Sequence, residues 1–227
     1  AFNSNAYLHH IALNTTRPLE LAKFYEKALS LERKPIKDGW VLSGGRRKVL
    51  ILKKKQNCLG FVGFACQDSH SFKALKRTFM EKGIKTAQDN KSLFDHDNFY
   101  ILDCDRNKIY FGISKTRKEQ KSDLYAPLQH ITFTSRNLVN FVEVYVNKLG
   151  FRMSDKVVNR EGKITTCFLR SNQEHHTVAC FLSNKSGLDH YSFEAGTWEW
   201  IKTWCDHFSK QNIQLILGTG RHGPGNN

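Results

Sequence analysis

Residues 8–31, LHHIALNTTRPLELAKFYEKALSL, lie over residues 128–151, LQHITFTSRNLVNFVEVYVNKLGF, at a constant offset of 120 and without a gap. Leu8 meets Leu128, His10 meets His130, Ile11 meets Ile131, Tyr25 meets Tyr145 and Leu29 meets Leu149. Such a repeat constrains the fold strongly, because each copy must be one supersecondary unit whose apolar face a neighbour covers. Each copy opens with a short alternating apolar stretch and passes through a polar turn. It then carries apolar residues at helical spacing, Leu21, Phe24, Tyr25 and Ala28 in the first and Phe141, Val144, Tyr145 and Leu149 in the second. Each is a strand followed by an amphipathic helix.

A second repeat, at an offset of 129, sets the stretch from Phe61 over the stretch from His190, so that Phe64 meets Phe193, Phe79 meets Phe208 and Ile84 meets Ile213. It too reads as strand then helix, with helix starts at Asp68-Ser69 and Thr197. Strand-like runs at 48–53 and 164–182 follow the first helix of each half. The runs 99–103 and 109–113, joined by a turn at Asp105-Arg106-Asn107, give a hairpin signal. The reading is an α+β chain of four βαβββ modules, roughly 7–55, 60–114, 127–183 and 187 onward. They pair into two similar domains, 1–114 and 127–227, each a curved mixed sheet around a cavity. A linker over 115–126 carries the charged joint KTRKEQKSD, and the last module lacks its final hairpin.

Lys and Arg number 35 against 21 Asp and Glu, a net charge of +14. That excess suits nucleic acid or an anionic surface. The lysines between Lys34 and Lys85, however, are scattered over several elements with no aromatic-interleaved stripe. A solvated basic surface and no nucleic-acid partner are expected. No apolar run approaches the roughly 18 residues of a membrane helix, and the stretch 1–7 has no apolar run fit for a secretory signal. Membrane association is not expected, and a cytoplasmic location is. Six cysteines without a CxxC pair fit buried reduced thiols better than a disulfide framework or a zinc ribbon.

Three places among the ten histidines invite chemistry. His130 and His190 begin equivalent strands of the second half; if its modules close around a cavity, the two imidazoles converge there. Two imidazoles with a carboxylate suit non-haem Fe(II), while the plainer reading is polar strand residues. His175 and His176 stand at the mouth of an apolar strand, where alternation sends only one inward. That one could serve as acid or base near neutral pH, or the two could form an exposed turn. His222 sits in a loop of turn formers, a weak signal alone.

Taken together, L-x-H-I at Leu128–Ile131, HHTVA at His175–Ala179, LDHYSFE at Leu188–Glu194 and GRHGPGN at Gly220–Asn226 resemble a type I extradiol ring-cleavage dioxygenase. That group belongs to the vicinal oxygen chelate superfamily, with glyoxalase I and bleomycin-resistance proteins. The second and fourth motifs tip the reading toward the dioxygenases. The resemblance implies that His130 and His190 are iron ligands, that His176 is the acid/base, and that His222 is a hydrogen-bonding residue behind them. It further implies Fe(II), with Mn(II) as the alternative, O2 as co-substrate, a small aromatic diol as substrate and a homo-oligomeric assembly. Thr132, Phe168, Phe181 and Ser192 are the candidates for reading substrate shape. In the first half Phe61 stands opposite His190 in the repeat, so that half has lost a ligand although His10 remains. The third ligand, a glutamate in the family, is expected beyond Asn227 on the strand equivalent to that of Tyr110. Glu194 shares the parity of His190 but lies four residues further on. Metal is accordingly expected to be weakly held in this form. The alternatives are a glyoxalase-like or other metalloenzyme, or a non-catalytic resistance protein, on the same scaffold.

Overall fold

The computed structural model describes residues 1–94, 97–114 and 124–219. The first half runs β1 (Tyr7–Thr15), α1 (Pro18–Leu29), β2 (Glu32–Ile36), β3 (Gly39–Gly44), β4 (Arg47–Lys53), β5 (Cys58–Ala65), α2 (Ser69–Glu81), β6 (Asn98–Leu102) and β7 (Lys108–Gly112). The second runs β8 (Leu128–Ser135), α3 (Leu138–Val142), β9 (Arg152–Val158), β10 (Ile164–Arg170), β11 (Val178–Leu182), β12 (Gly187–Phe193) and α4 (Trp198–Lys210).

Local chemistry sets the boundaries. Pro18 opens α1, where its missing N–H is no loss. Asp68 caps α2 by accepting from the Ser71 N–H at 2.7 Å, and Thr197 caps α4 through the Trp200 N–H at 3.3 Å. Between β6 and β7, the Asp103 carboxylate accepts from the Asp105 and Asn107 N–H groups while Arg106 takes a left-handed φ of 66°.

The first sheet has the order β2-β3-β4-β1-β5-β7-β6 and the second β12-β8-β11-β10-β9. In each, the leading strand pairs parallel to the last strand of its own module and antiparallel to the first strand of the next. Thus β1 lies between β4 and β5, and β8 between β11 and β12. Both repeat offsets hold in register: Ala12 faces Phe61, and its counterpart Thr132 faces His190. Among the described residues the second sheet ends at β12, whereas the first continues past β5.

Two modules carry local irregularities within the βαβββ plan. The second has an isolated bridge, Ala87 to Tyr100, in place of its first post-helix strand. In the third, α3 continues as a π-helical turn over Glu143–Lys148. Val178 rather than His175 begins β11, so the two histidines lie in the preceding loop.

One apolar core runs between the halves, joining Leu8, Ile11, Phe64 and Phe111 to Ile131, Phe133, Phe141 and Phe151. Repeat-equivalent tyrosines cross it. Tyr145 donates to Asp103 at 2.9 Å, and Tyr25 accepts from the Tyr191 hydroxyl of β12. The first half's concave face is filled by Phe61, Phe94 and Tyr110. All six cysteines are free; Cys66, Cys167 and Cys180 are buried, while Cys58 is exposed, against expectation. Among the described residues no helix is long and apolar enough to cross a membrane.

Candidate metal centre

On β8, His130, Thr132 and Thr134 share the face turned away from the inter-half core, and β12 presents His190 and Ser192 beside them. The register pairs Thr132 with His190 and His130 with Ser192. The two imidazoles meet across this pair of strands, Nε2 to Nε2 at 3.4 Å, with the Thr132 hydroxyl 3.1 Å from the His190 Nε2. His130 is buried, whereas the His190 side chain, on the outermost strand, retains 48% of its exposure.

The other nitrogen of each ring is held. Asp189 accepts from the His190 Nδ1 at 2.6 Å, and the Gln129 Oε1 accepts from the His130 Nδ1. The Gln129 amide is oriented in turn, because its NH2 donates to the His176 carbonyl at 2.9 Å. With both Nδ1 atoms donating, each Nε2 of a neutral ring carries the lone pair. Two lone pairs facing at 3.4 Å suit a cation between them. Imidazoles each about 2.1 Å from one ion, at angles from a right angle to tetrahedral, stand about 3.0–3.4 Å apart. The pair fits two ligands of such an ion. Among the described residues no group of three His, Cys, Asp or Glu side chains is placed so as to hold a metal ion together. Glu194 lies past the end of β12, where burial and then Glu174 raise its carboxyl pKa.

His176 is 1% exposed, and its ring lies 4.3 Å from that of His130. His175 contacts its Nδ1 at 3.1 Å and is more exposed, so one of the adjacent pair faces the site, although both lie in the loop before β11 rather than on a strand. Phe168 packs edge-on against His176 at 5.1 Å, and Phe181 lies 6.3 Å from His190. Thr132, Ser192, Phe168 and Phe181 therefore surround the three rings. His222 lies outside the described residues. A cleft of about 920 Å³ lies away from these rings, between the halves beside Leu13, Phe24, Leu59 and Leu188.

In the first half the equivalent ring is closed off. The Leu93 N–H donates to the His10 Nε2 at 3.3 Å, His9 takes its Nδ1 at 2.7 Å, and Phe61 replaces the second imidazole. A Cβ on Gly63 would come within 2.2 Å of the His10 ring.

Sequence reasoning missed Gln129 and Asp189. Each immediately precedes a ligand-position histidine and carries an acceptor oxygen, but strict alternation assigns it to the other face.

Two facing imidazoles on β8 and β12, with a third buried beside them in the loop before β11, make up the candidate site. Residues 128–227 match the family model described as Glyoxalase/Bleomycin resistance protein/Dioxygenase superfamily. The whole chain shares its fold with a variant of homoprotocatechuate 2,3-dioxygenase from Brevibacterium fuscum, at 20% identity and a TM-score of 0.79, covering 97% of this chain and 66% of that one. The 2,3-dioxygenase LapB from Pseudomonas sp. KL28 gives 18% and 0.81, with 98% and 86% covered. A Mn(II)-bound glyoxalase from Novosphingobium aromaticivorans gives 18% and 0.79, with 97% and 75% covered. Tiger protein I3 of Dictyostelium discoideum is 28% identical over 118 residues, 47% of this chain and 14% of that protein. The chain thus spans a small part of that relative and just under two thirds of the Brevibacterium enzyme. Its fold is shared by these dioxygenases and by the glyoxalase alike.

Proposed function

We propose that this chain is the metal-binding portion of an extradiol dioxygenase that opens the ring of a small catechol-type diol with O2. The observation that carries the reading is the facing pair of Nε2 atoms on His130 and His190, 3.4 Å apart and each anchored through Nδ1, beside the buried ring of His176. His130 and His190 hold a divalent ion, Fe(II) in first place and Mn(II) in second, together with a third ligand from outside the described residues. Such an ion, when bound, would supply orientation of the reactants and stabilisation of negative charge on the diol.

The chain's own part is proton handling and shape. His176, held on Nδ1 by His175, takes a hydroxyl proton of the diol at Nε2 and returns it later in turnover. Its burial beside Phe168 keeps water from that exchange. Thr132 and Ser192 offer hydroxyls between the two ligand rings, and Phe168 and Phe181 offer faces against which a planar ring packs.

A glyoxalase-type isomerase is the second reading, since the Mn(II)-bound glyoxalase matches the fold equally well. The test is anaerobic loading with Fe(II) or Mn(II), followed by oxygen uptake on a panel of monocyclic and biaryl catechols. Uptake with yellow ring-opened products supports the proposal. A metal-loaded chain that consumes no oxygen but isomerises a hemithioacetal overturns it.

A further inference from the structure

Gln129 and Asp189 reach the rings because the pleat is broken at both positions. Between β8 and β12, Leu188 faces Phe133 and His190 faces Thr132, so Asp189 is an extra residue on β12. At the other end Ser192 faces His130 and Phe193 faces Leu128, so Gln129 is an extra residue on β8. Each is a β-bulge, the device by which a strand re-aims a side chain. The first half repeats both bulges, at His9 and Gly60, which are the offset counterparts of Gln129 and Asp189. There the residues differ: His9 contacts His10, and Gly60 has no side chain, nor room for one beside Asn14 and Ala12.

We propose that the two bulge residues, Gln129 and Asp189, are positioning residues for His130 and His190, each fixing its ring with Nε2 turned toward the other. This rests on the reading of the two histidines as ligands. Gln129 does more than Asp189: its NH2 on the His176 carbonyl ties the His130 ring to the loop that carries His176, so one side chain sets both. Partners that hold the far nitrogen of a ligating imidazole fix its tautomer, and their loss weakens metal binding by about 10–100-fold.

Two readouts on the full chain test this. Imidazole 15N shifts of the metal-free protein at about pH 8 report the tautomers directly. The wild type shows His130 and His190 each as the single Nδ1–H form. Gln129→Leu releases His130 into a mixture and leaves His190 unchanged, Asp189→Leu does the reverse, and Gln129→Glu, which keeps the acceptor, retains the His130 tautomer. Mn(II) titration followed by the electron paramagnetic resonance of the free ion shows the Kd rising about 10–100-fold in each Leu variant. Unchanged tautomers in both Leu variants overturn the positioning role, even where His130→Ala abolishes Mn(II) binding and so upholds the ligand reading. Fixed tautomers that the Leu variants release, in a wild type that takes up no Mn(II), uphold the positioning of the rings and overturn the ligand reading.

Discussion

His130, His190 and His176 differ in what each touches, and their substitutions separate accordingly. His130→Ala and His190→Ala each remove one of two facing lone pairs, so either abolishes stable metal uptake in equilibrium dialysis. His176→Ala leaves both Nε2 atoms in place and retains metal, while turnover falls about 10²–10⁴-fold if the residue is a general acid/base. His10 is the control. It has the same strand position, but Leu93 and His9 occupy both its ring nitrogens, so His10→Ala leaves metal affinity unchanged. The same burial makes the first half intolerant of extra volume. Gly63→Ala drives a methyl into the His10 ring, boxed in by Phe61 and Phe94, and costs about 1–3 kcal/mol in denaturant unfolding.

The buried His9–His10 pair also sets an acid limit on stability. Burial first, then Lys48 and Arg46, pushes the His9 pKa down to about 3; burial, with His9 and Lys48, pushes His10 well below its usual range. In the unfolded chain each takes up a proton near pH 6.5. The unfolded state then binds more protons on acidification. Stability from this pair is therefore complete above about pH 7 and is lost as pH falls from about 6.5 toward 3, by up to about 1.4 kcal/mol per pH unit for each ring. Unfolding midpoints at pH 7.5, 5.5 and 4.5 check the slope, and His9→Phe flattens it.

At the scale of elements, the strand–helix repeat, the capped helix starts and the β6–β7 turn were legible because each has a local chemical signature. The bulges at Gln129 and Asp189 had none: a bulge is a property of two strands in register, and one strand's sequence carries only half of it. The same holds for the bridge at Ala87, where pairing depends on Tyr100 across the sheet. The tyrosines were legible as repeat partners, yet their targets were not, since Asp103 and Tyr191 belong to the opposite halves. Tyr145→Phe removes one donor from the buried Asp103 carboxylate and leaves it the backbone and side chain of Asn107 and the Asp105 N–H. The cost is about 1–3 kcal/mol. Mn(II) affinity stays the same, because the contact lies between the halves and away from the imidazoles.

For the whole molecule, two copies of one plan have diverged around different interiors: one concave face is packed with Phe61, Phe94 and Tyr110, the other is lined with imidazoles. That asymmetry was legible from one aligned pair, Phe61 over His190. Buried apolar surface is shared across the boundary between 1–114 and 127–227. The largest apolar cluster takes Leu8, Phe64 and Phe111 from one half and Ile131, Phe133 and Phe151 from the other. Arg47 of β4 is 1% exposed and donates to the Leu124 carbonyl at 2.9 Å, with its guanidinium 4.9 Å over Trp204 of α4. Neither half keeps its buried apolar surface from water without the other, at about 25 cal/mol for each Å² exposed. The chain should therefore melt as one unit, with calorimetric and van't Hoff enthalpies that agree and one midpoint by near-ultraviolet dichroism and by tryptophan fluorescence. Arg47→Met should lower that single midpoint without splitting it. Two resolved transitions, or a second half that keeps its near-ultraviolet signal when expressed alone, would show that the half carrying the imidazoles folds independently of its filled copy.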